Sequence, residues 1–258
     1  MLKKLLKHEW NAVARKYGLF YLVLGVLTLV TCLIRLIPVE NLFFNLGKMA
    51  LLVLYILALI GVFFCSTAMG VVRFYKNMVT EEGYLTFTLP VKVEQLVISK
   101  LLVAFAWQMI TIVLCLLSVF LVFVPGHISF GEFFGELSVM FDSLGGTVAL
   151  IGVMMVVSIV YQFLFYYLSI AIGQLFNDHK IVGAVVAYCA LNFVIEMVIM
   201  ILMFAVFGLA GVIDMSESMN TLDGINTMYL FITGLSAVMA VISYFATCQL
   251  FKKKLNLA

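Results

Sequence analysis

Six long apolar runs take up most of this 258-residue chain, near residues 17–37, 46–72, 96–124, 147–176, 181–210 and 227–251. A hydrocarbon layer about 30 Å thick, crossed at a helical rise of about 1.5 Å per residue, needs roughly 20 largely apolar residues. Each run meets that length, and several exceed it, which implies tilt or extension of the helix beyond the lipid. With 65% hydrophobic residues, 11% charged and a mean hydropathy of +1.21, the chain is excluded from the water-soluble globules. The expected fold is therefore all-α, a single polytopic transmembrane domain over 1–258 with six transmembrane helices.

The charges between the runs alternate, and that alternation predicts orientation. With both termini cytosolic, Lys3, Lys4, Lys7, Arg15, Lys16, Arg73, Lys76, Lys92, Lys100, Lys180, Lys252, Lys253 and Lys254 lie inside, 13 of the 15 basic residues. Arg35 and Lys48 are left outside, among loops that carry Glu40, Glu132, Glu136, Asp142, Asp214, Glu217 and Asp223. Asymmetry of Lys and Arg in short loops orients helical membrane proteins, so a multi-pass protein of the plasma membrane with inside termini is expected. The formal net charge of +2 hides this polarity, and nucleic acid is not an expected partner.

Two segments outside the spans are patterned for an interface. In 1–16, Leu2, Leu5, Leu6, Trp10, Val13 and Ala14 recur at helical spacing while Lys3, Lys4, Lys7 and Glu9 take other faces. That pattern predicts an amphipathic helix on the inner leaflet, its basic face drawn to anionic lipid and Trp10 at the boundary. In 125–145, Pro125 and the pair Ser129 and Glu132 announce a helix start. Phe130, Phe133, Phe134, Leu137, Phe141 and Leu144 then form one stripe. This second amphipathic helix lies between spans 3 and 4 on the outer side, as a lid or, more simply, as surface packing.

Recognisable catalytic chemistry is missing. No phosphate loop of the form G-x-x-x-x-G-K-S/T occurs, nor H-E-x-x-H, G-x-S-x-G, C-x-x-C or a dinucleotide glycine pattern. His8, His127 and His179 fall in different connections. The five cysteines, Cys32, Cys65, Cys115, Cys189 and Cys248, fall in spans without paired spacing, so neither a metal site nor a disulfide framework is expected. The first apolar run is too long for the core of a cleaved signal, and no A-x-A site follows it. The chain is not expected to be an enzyme. Energy, if used, must come from a partner.

One acid stands deep within a span. Glu196 is close to the middle of the fifth run, where an acidic side chain costs about 2.5–3.5 kcal/mol on insertion scales. Asn192 and Tyr188, one and two turns earlier on the same face, complete a polar stripe. Lining a translocation path, bonding a neighbouring helix and coupling to protons are all open roles for it. Gln162 beside Tyr161 in the fourth run is a weaker case of the same kind.

The inner connection over 73–95 is far longer than the 2–8 residues usual in helical bundles. It mixes apolar anchors (Phe74, Tyr75, Tyr84, Leu85, Phe87, Leu89) with Glu81, Glu82, Lys92 and Glu94, a composition suited to docking. Gly83 permits a sharp turn and Pro90 suits the start of the next helix.

The run EEGYLTFTLPVKVEQLVISKLLVAF resembles the segment after the second span in permease subunits of bacterial ATP-binding-cassette exporters. Glu81, Gly83, Leu85, Leu89, Pro90, Leu96 and Lys100 carry the likeness, and the six-span plan extends it loosely over the chain. The resemblance implies a coupling helix in which Glu81, Glu82, Gly83, Tyr84 and Leu85 dock on a separate ATPase subunit. It also implies pairing with a second permease copy or a paralogue around a central path, with ATP and Mg bound by the partner and no cofactor by this chain. The amphipathic helix between spans 3 and 4 departs from the family's habit of placing outer re-entrant helices between spans 5 and 6. An ATP-driven exporter of an amphipathic peptide, drug or lipid is the first expectation. An ion-coupled carrier built on Glu196 and a non-transporting peptide-binding immunity protein are the alternatives.

Overall fold

A computed structural model describes residues 2–35, 37, 41–80, 83, 91–123, 130–176, 179–205 and 221–253. Among them are six long helices and no strand: α1 (Leu2–Arg35), α2 (Leu42–Val79), α3 (Val93–Phe123), α4 (Phe130–Gly173), α5 (Lys180–Met203) and α6 (Thr221–Lys253). All six are long and apolar enough to cross a bilayer, so the chain is an all-helical, multi-pass membrane protein.

The boundaries differ from expectation at three places. The amphipathic stretch 1–16 is not a separate helix, because α1 passes from Leu2 to Arg35 without interruption. Gly18 is the only weak helix former at the junction, and one glycine costs a helix only about 1 kcal/mol. The stretch expected as an outer helix likewise runs on into span 4, through Gly145 and Gly146, as one helix of 44 residues. At about 1.5 Å per residue α4 is about 66 Å long, more than the roughly 45 Å of a bilayer with its headgroups, so an upright α4 projects beyond the lipid. Pro125 and Ser129 lie outside the described residues. Finally, α2 continues to Val79 and α3 begins at Val93, which shortens the 73–95 connection at both ends.

By its internal contacts the chain divides into two units, Met1–Arg73 with Gln95–Leu144, and Phe74–Glu94 with Gly145–Ala258. The first is tied by polar side chains between apolar helices. Tyr17 donates to the Ser66 carbonyl at 2.9 Å, and Ser66 Oγ meets Gln108 Oε1 at 2.8 Å and Thr111 Oγ1 at 2.9 Å. Further along, Ser118 Oγ lies 2.7 Å from both Thr28 Oγ1 and the Tyr55 hydroxyl. Lipid tails are as apolar as leucine, so helices in a membrane gain little from burying leucine against leucine and hold together by packing and by bonds of this kind. The only two tryptophans of the chain, Trp10 and Trp107, stack at 4.6 Å, and Tyr17 also stacks on Trp107, at 4.7 Å. Trp10, expected at the membrane boundary, thus packs on α3.

The second unit depends on aromatic contacts. Phe74 stacks on Tyr167 at 3.7 Å with its edge toward Phe251, and all three side chains are fully buried or nearly so. Its α4–α5 connection is tight: Phe176 N–H donates to the Gly173 carbonyl at 3.1 Å and Gly183 N–H to the His179 carbonyl at 2.8 Å. A Cβ on Gly173 would come within 2.5 Å of the Ala184 backbone nitrogen, so only glycine allows this approach.

Candidate functional site

The connection proposed for docking belongs to the second unit. Glu81, Glu82, Tyr84 and Leu85 lie outside the described residues. Gly83 is described: it is buried, and its N–H donates to the Thr80 carbonyl at 2.7 Å, closing a turn that starts at the residue after α2. The structure defines how the segment is held. At one end Phe74 stacks on Tyr167 of α4 and meets Phe251 of α6 edge-on, and Met78 and Val79 in the last turn of α2 are buried. At the other end Glu94 pairs with Lys252 of α6. Consecutive residues of α6, Phe251 and Lys252, therefore tie down both ends of the connection, one by packing and one by charge. Neither was legible as a partner of this segment, because the sequence separation between Glu94 and Lys252 is 158 residues. Lys252 remains half exposed, so the charged tie is the weaker of the two.

The stripe on α5 forms in part as expected. Asn192 Nδ2 donates to Glu196 Oε1 at 2.8 Å across one helical turn. Tyr188 is diverted: it stacks on Tyr166 of α4 at 5.2 Å and meets Phe165 edge-on at 5.4 Å. Gln162, the weaker polar candidate, hydrogen-bonds Tyr166 beside that stack. Glu196 itself is exposed, and among the described residues no other helix of the chain bonds it. Only Gly183 and Ala187 of α5 are buried, both near its start. The half of α5 that carries Asn192 and Glu196 consequently offers a carboxylate and an apolar face, including Phe193 and Met197, to whatever lies outside this chain.

A third cluster escaped the sequence reading. Glu9, assigned there to the solvated face of an amphipathic helix, is 7% exposed and accepts from Arg73 Nε and from Lys100 Nζ, the latter at 2.8 Å. These partners are 64 and 91 residues away. Two cations around one buried carboxylate compensate its desolvation, which a single partner at this depth often fails to do. One signal was available: Glu9 is the only acid in residues 1–16, on the side assigned to nearly all of the cations.

Among the described residues, no three His, Cys, Asp or Glu side chains come together in a way that could hold a metal ion, and all five cysteines are free. Comparison with known proteins adds no family: no family description, curated protein or solved structure matches the chain.

Proposed function

We propose that this membrane protein is the permease subunit of an ATP-driven exporter of the ATP-binding-cassette type, moving an amphipathic substrate outward. The ATPase is a separate subunit that supplies ATP and Mg, and a second permease, identical or paralogous, completes the path. The observation that carries this reading is the mounting of the Phe74–Glu94 connection, whose two ends are tied to the same end of α6. A loop that transmits motion needs a stiff base, and here the helix ends that flank the long connection, at Phe74 in α2 and Glu94 in α3, are both held to α6. Both termini and the connection then face the cytosol, in line with the distribution of lysine and arginine. The uncovered carboxylate of Glu196 fits a path lined jointly by two chains.

The test uses the loop itself. Truncating a buried aromatic anchor costs about 2 kcal/mol or more, whereas an exposed charge contributes below about 1 kcal/mol. Tyr84→Ala should therefore weaken co-purification with the ATPase subunit more than Glu82→Ala does, with the helical content unchanged in both. Full assembly and transport by Tyr84→Ala would remove the docking role. The ion-coupled carrier is kept as a second reading by one observation, an exposed Glu196 whose hydrogen-bond partner among the described residues is the Asn192 amide. Transport by the purified chain in vesicles driven by a pH gradient, without ATPase, would favour it.

A further inference from the structure

Arg35 and Lys48 are the two basic residues that the charge asymmetry leaves on the outer side, and the structure brings them to the same place. They line a cavity of about 210 Å³ in the first unit, where α1 and α3 end and α2 begins. Arg35 Nη1 donates to the Val122 carbonyl in the last turn of α3, with its guanidinium 5.7 Å from the Phe123 ring centre. Lys48 lies six residues into α2, about 9 Å below its first residue at the helical rise, and reaches back to the Ile37 carbonyl at 2.8 Å. One cation thus caps α3 and the other the chain just past α1. Each keeps further donors unused by these bonds, since a guanidinium has five N–H groups and an ammonium three. Among the described residues no carboxylate pairs with either. Below the cations the cavity is walled by Ile34, Met49, Leu52 and Val122.

We propose that this cleft binds the phosphate head of an amphiphile, the anion between Arg35 and Lys48 and the first part of the apolar tail along Ile34, Met49 and Leu52. Two cations with no carboxylate partner among the described residues, beside an apolar wall, match a single negative charge carried on a hydrocarbon chain. The cleft lies where three helices long and apolar enough to cross a membrane begin or end, so an anionic headgroup with its tail along the apolar wall suits it. The inference does not depend on the exporter reading, because it concerns the opposite ends of the helices from the Phe74–Glu94 connection.

The experiment uses the full chain in a neutral detergent, with phosphatidylglycerol or phosphatidylcholine added at equal concentration and the lipid retained by the protein counted by native mass spectrometry. Phosphatidylcholine carries the same phosphate but neutralises it, so the wild type should retain about tenfold more phosphatidylglycerol. The double variant Arg35→Gln, Lys48→Gln should lose that preference, and Arg35→Lys with Lys48→Arg should keep it. Equal retention of the two lipids by the wild type overturns the proposal whatever the variants do, and so does an undiminished preference in the double glutamine variant, since the cations would then be caps alone. Added inorganic phosphate separates the sources. Displacement of the lipid at comparable concentration makes the free anion the ligand of the two cations, and its failure makes the tail part of the recognised ligand.

Discussion

Glu9 and Glu196 are both carboxylates on long apolar helices, and the chain treats them in opposite ways. Glu9, near the start of α1, is enclosed and held by cations from α2 and α3. Glu196, on α5, is left uncovered with one amide from its own helix. An acid that is fully paired inside its own chain has its energetic problem solved there, and its role is to fix α1 against two other helices. Among the described residues Glu196 gains no such partner from another helix, so its carboxylate is left to water, to a further subunit or to a ligand under the proposed function. The same residue type is thus enclosed and ion-paired in one unit and exposed in the other.

The largest expected effect tests the enclosed acid. Glu9→Ala leaves Arg73 and Lys100 without their carboxylate, and breaking a buried ion cluster from one side costs about 3–5 kcal/mol. Unfolding of the purified protein in mixed micelles should show that loss, together with a change in the fluorescence of the stacked Trp10 and Trp107, which report the seating of α1 on α3. A loss below about 0.5 kcal/mol, the range of an ordinary surface substitution, would put Glu9 on the same footing as Glu196 and dissolve the contrast.

A middle-sized effect is expected at the only buried part of α5. Gly173→Val forces a side chain into the backbone of Ala184, which cannot yield without moving α5, and overpacking of this kind costs about 1–3 kcal/mol. Gly183→Ala should cost less, since its two closest contacts, at 2.5 and 2.9 Å, are with the Phe176 ring, which can turn, and the backbone it meets, the Gly173 carbonyl oxygen, is farther off at 3.2 Å. Equal tolerance of both in a thermal unfolding series would mean that α5 is not tethered at its start, and the exposure of Glu196 would lose its frame.

The smallest effect on stability, and the sharpest on function, is expected at Glu196→Gln. The amide can keep a hydrogen bond with Asn192 and the site is uncovered, so the melting temperature should stay within the range of a surface substitution. Substrate-stimulated ATPase activity of the assembled complex, or transport, should change. A large drop in stability with normal transport would make Glu196 a structural acid like Glu9.

Much of the fold could be read in advance, for a physical reason: length and apolarity alone decide whether a segment crosses lipid, and six segments were found where six helices stand. Helix ends were read less well. The amphipathic stretches of 1–16 and 125–145 looked separate because their polarity changes at the span boundary, but a backbone hydrogen-bond ladder does not stop where polarity changes, and only proline or a stronger break would have stopped it. At the candidate sites, the Asn192–Glu196 bond was legible because it is local, one turn along a single helix. The Glu9 cluster, the clamp on Phe74, and the meeting of Arg35 with Lys48 were not.

What the sequence determined by itself is therefore the class of the protein, its six apolar helices and the single carboxylate deep within a span, since these follow from composition and period along one strand of chain. What only the tertiary structure decided is which charges are neighbours. Glu9, Arg73 and Lys100 become one cluster, and Phe251 and Lys252 come to hold a connection more than 150 residues earlier, through the way whole helices pack. Contact between helices depends on side-chain shape and bonding summed over many turns, and no local pattern in the sequence records that sum.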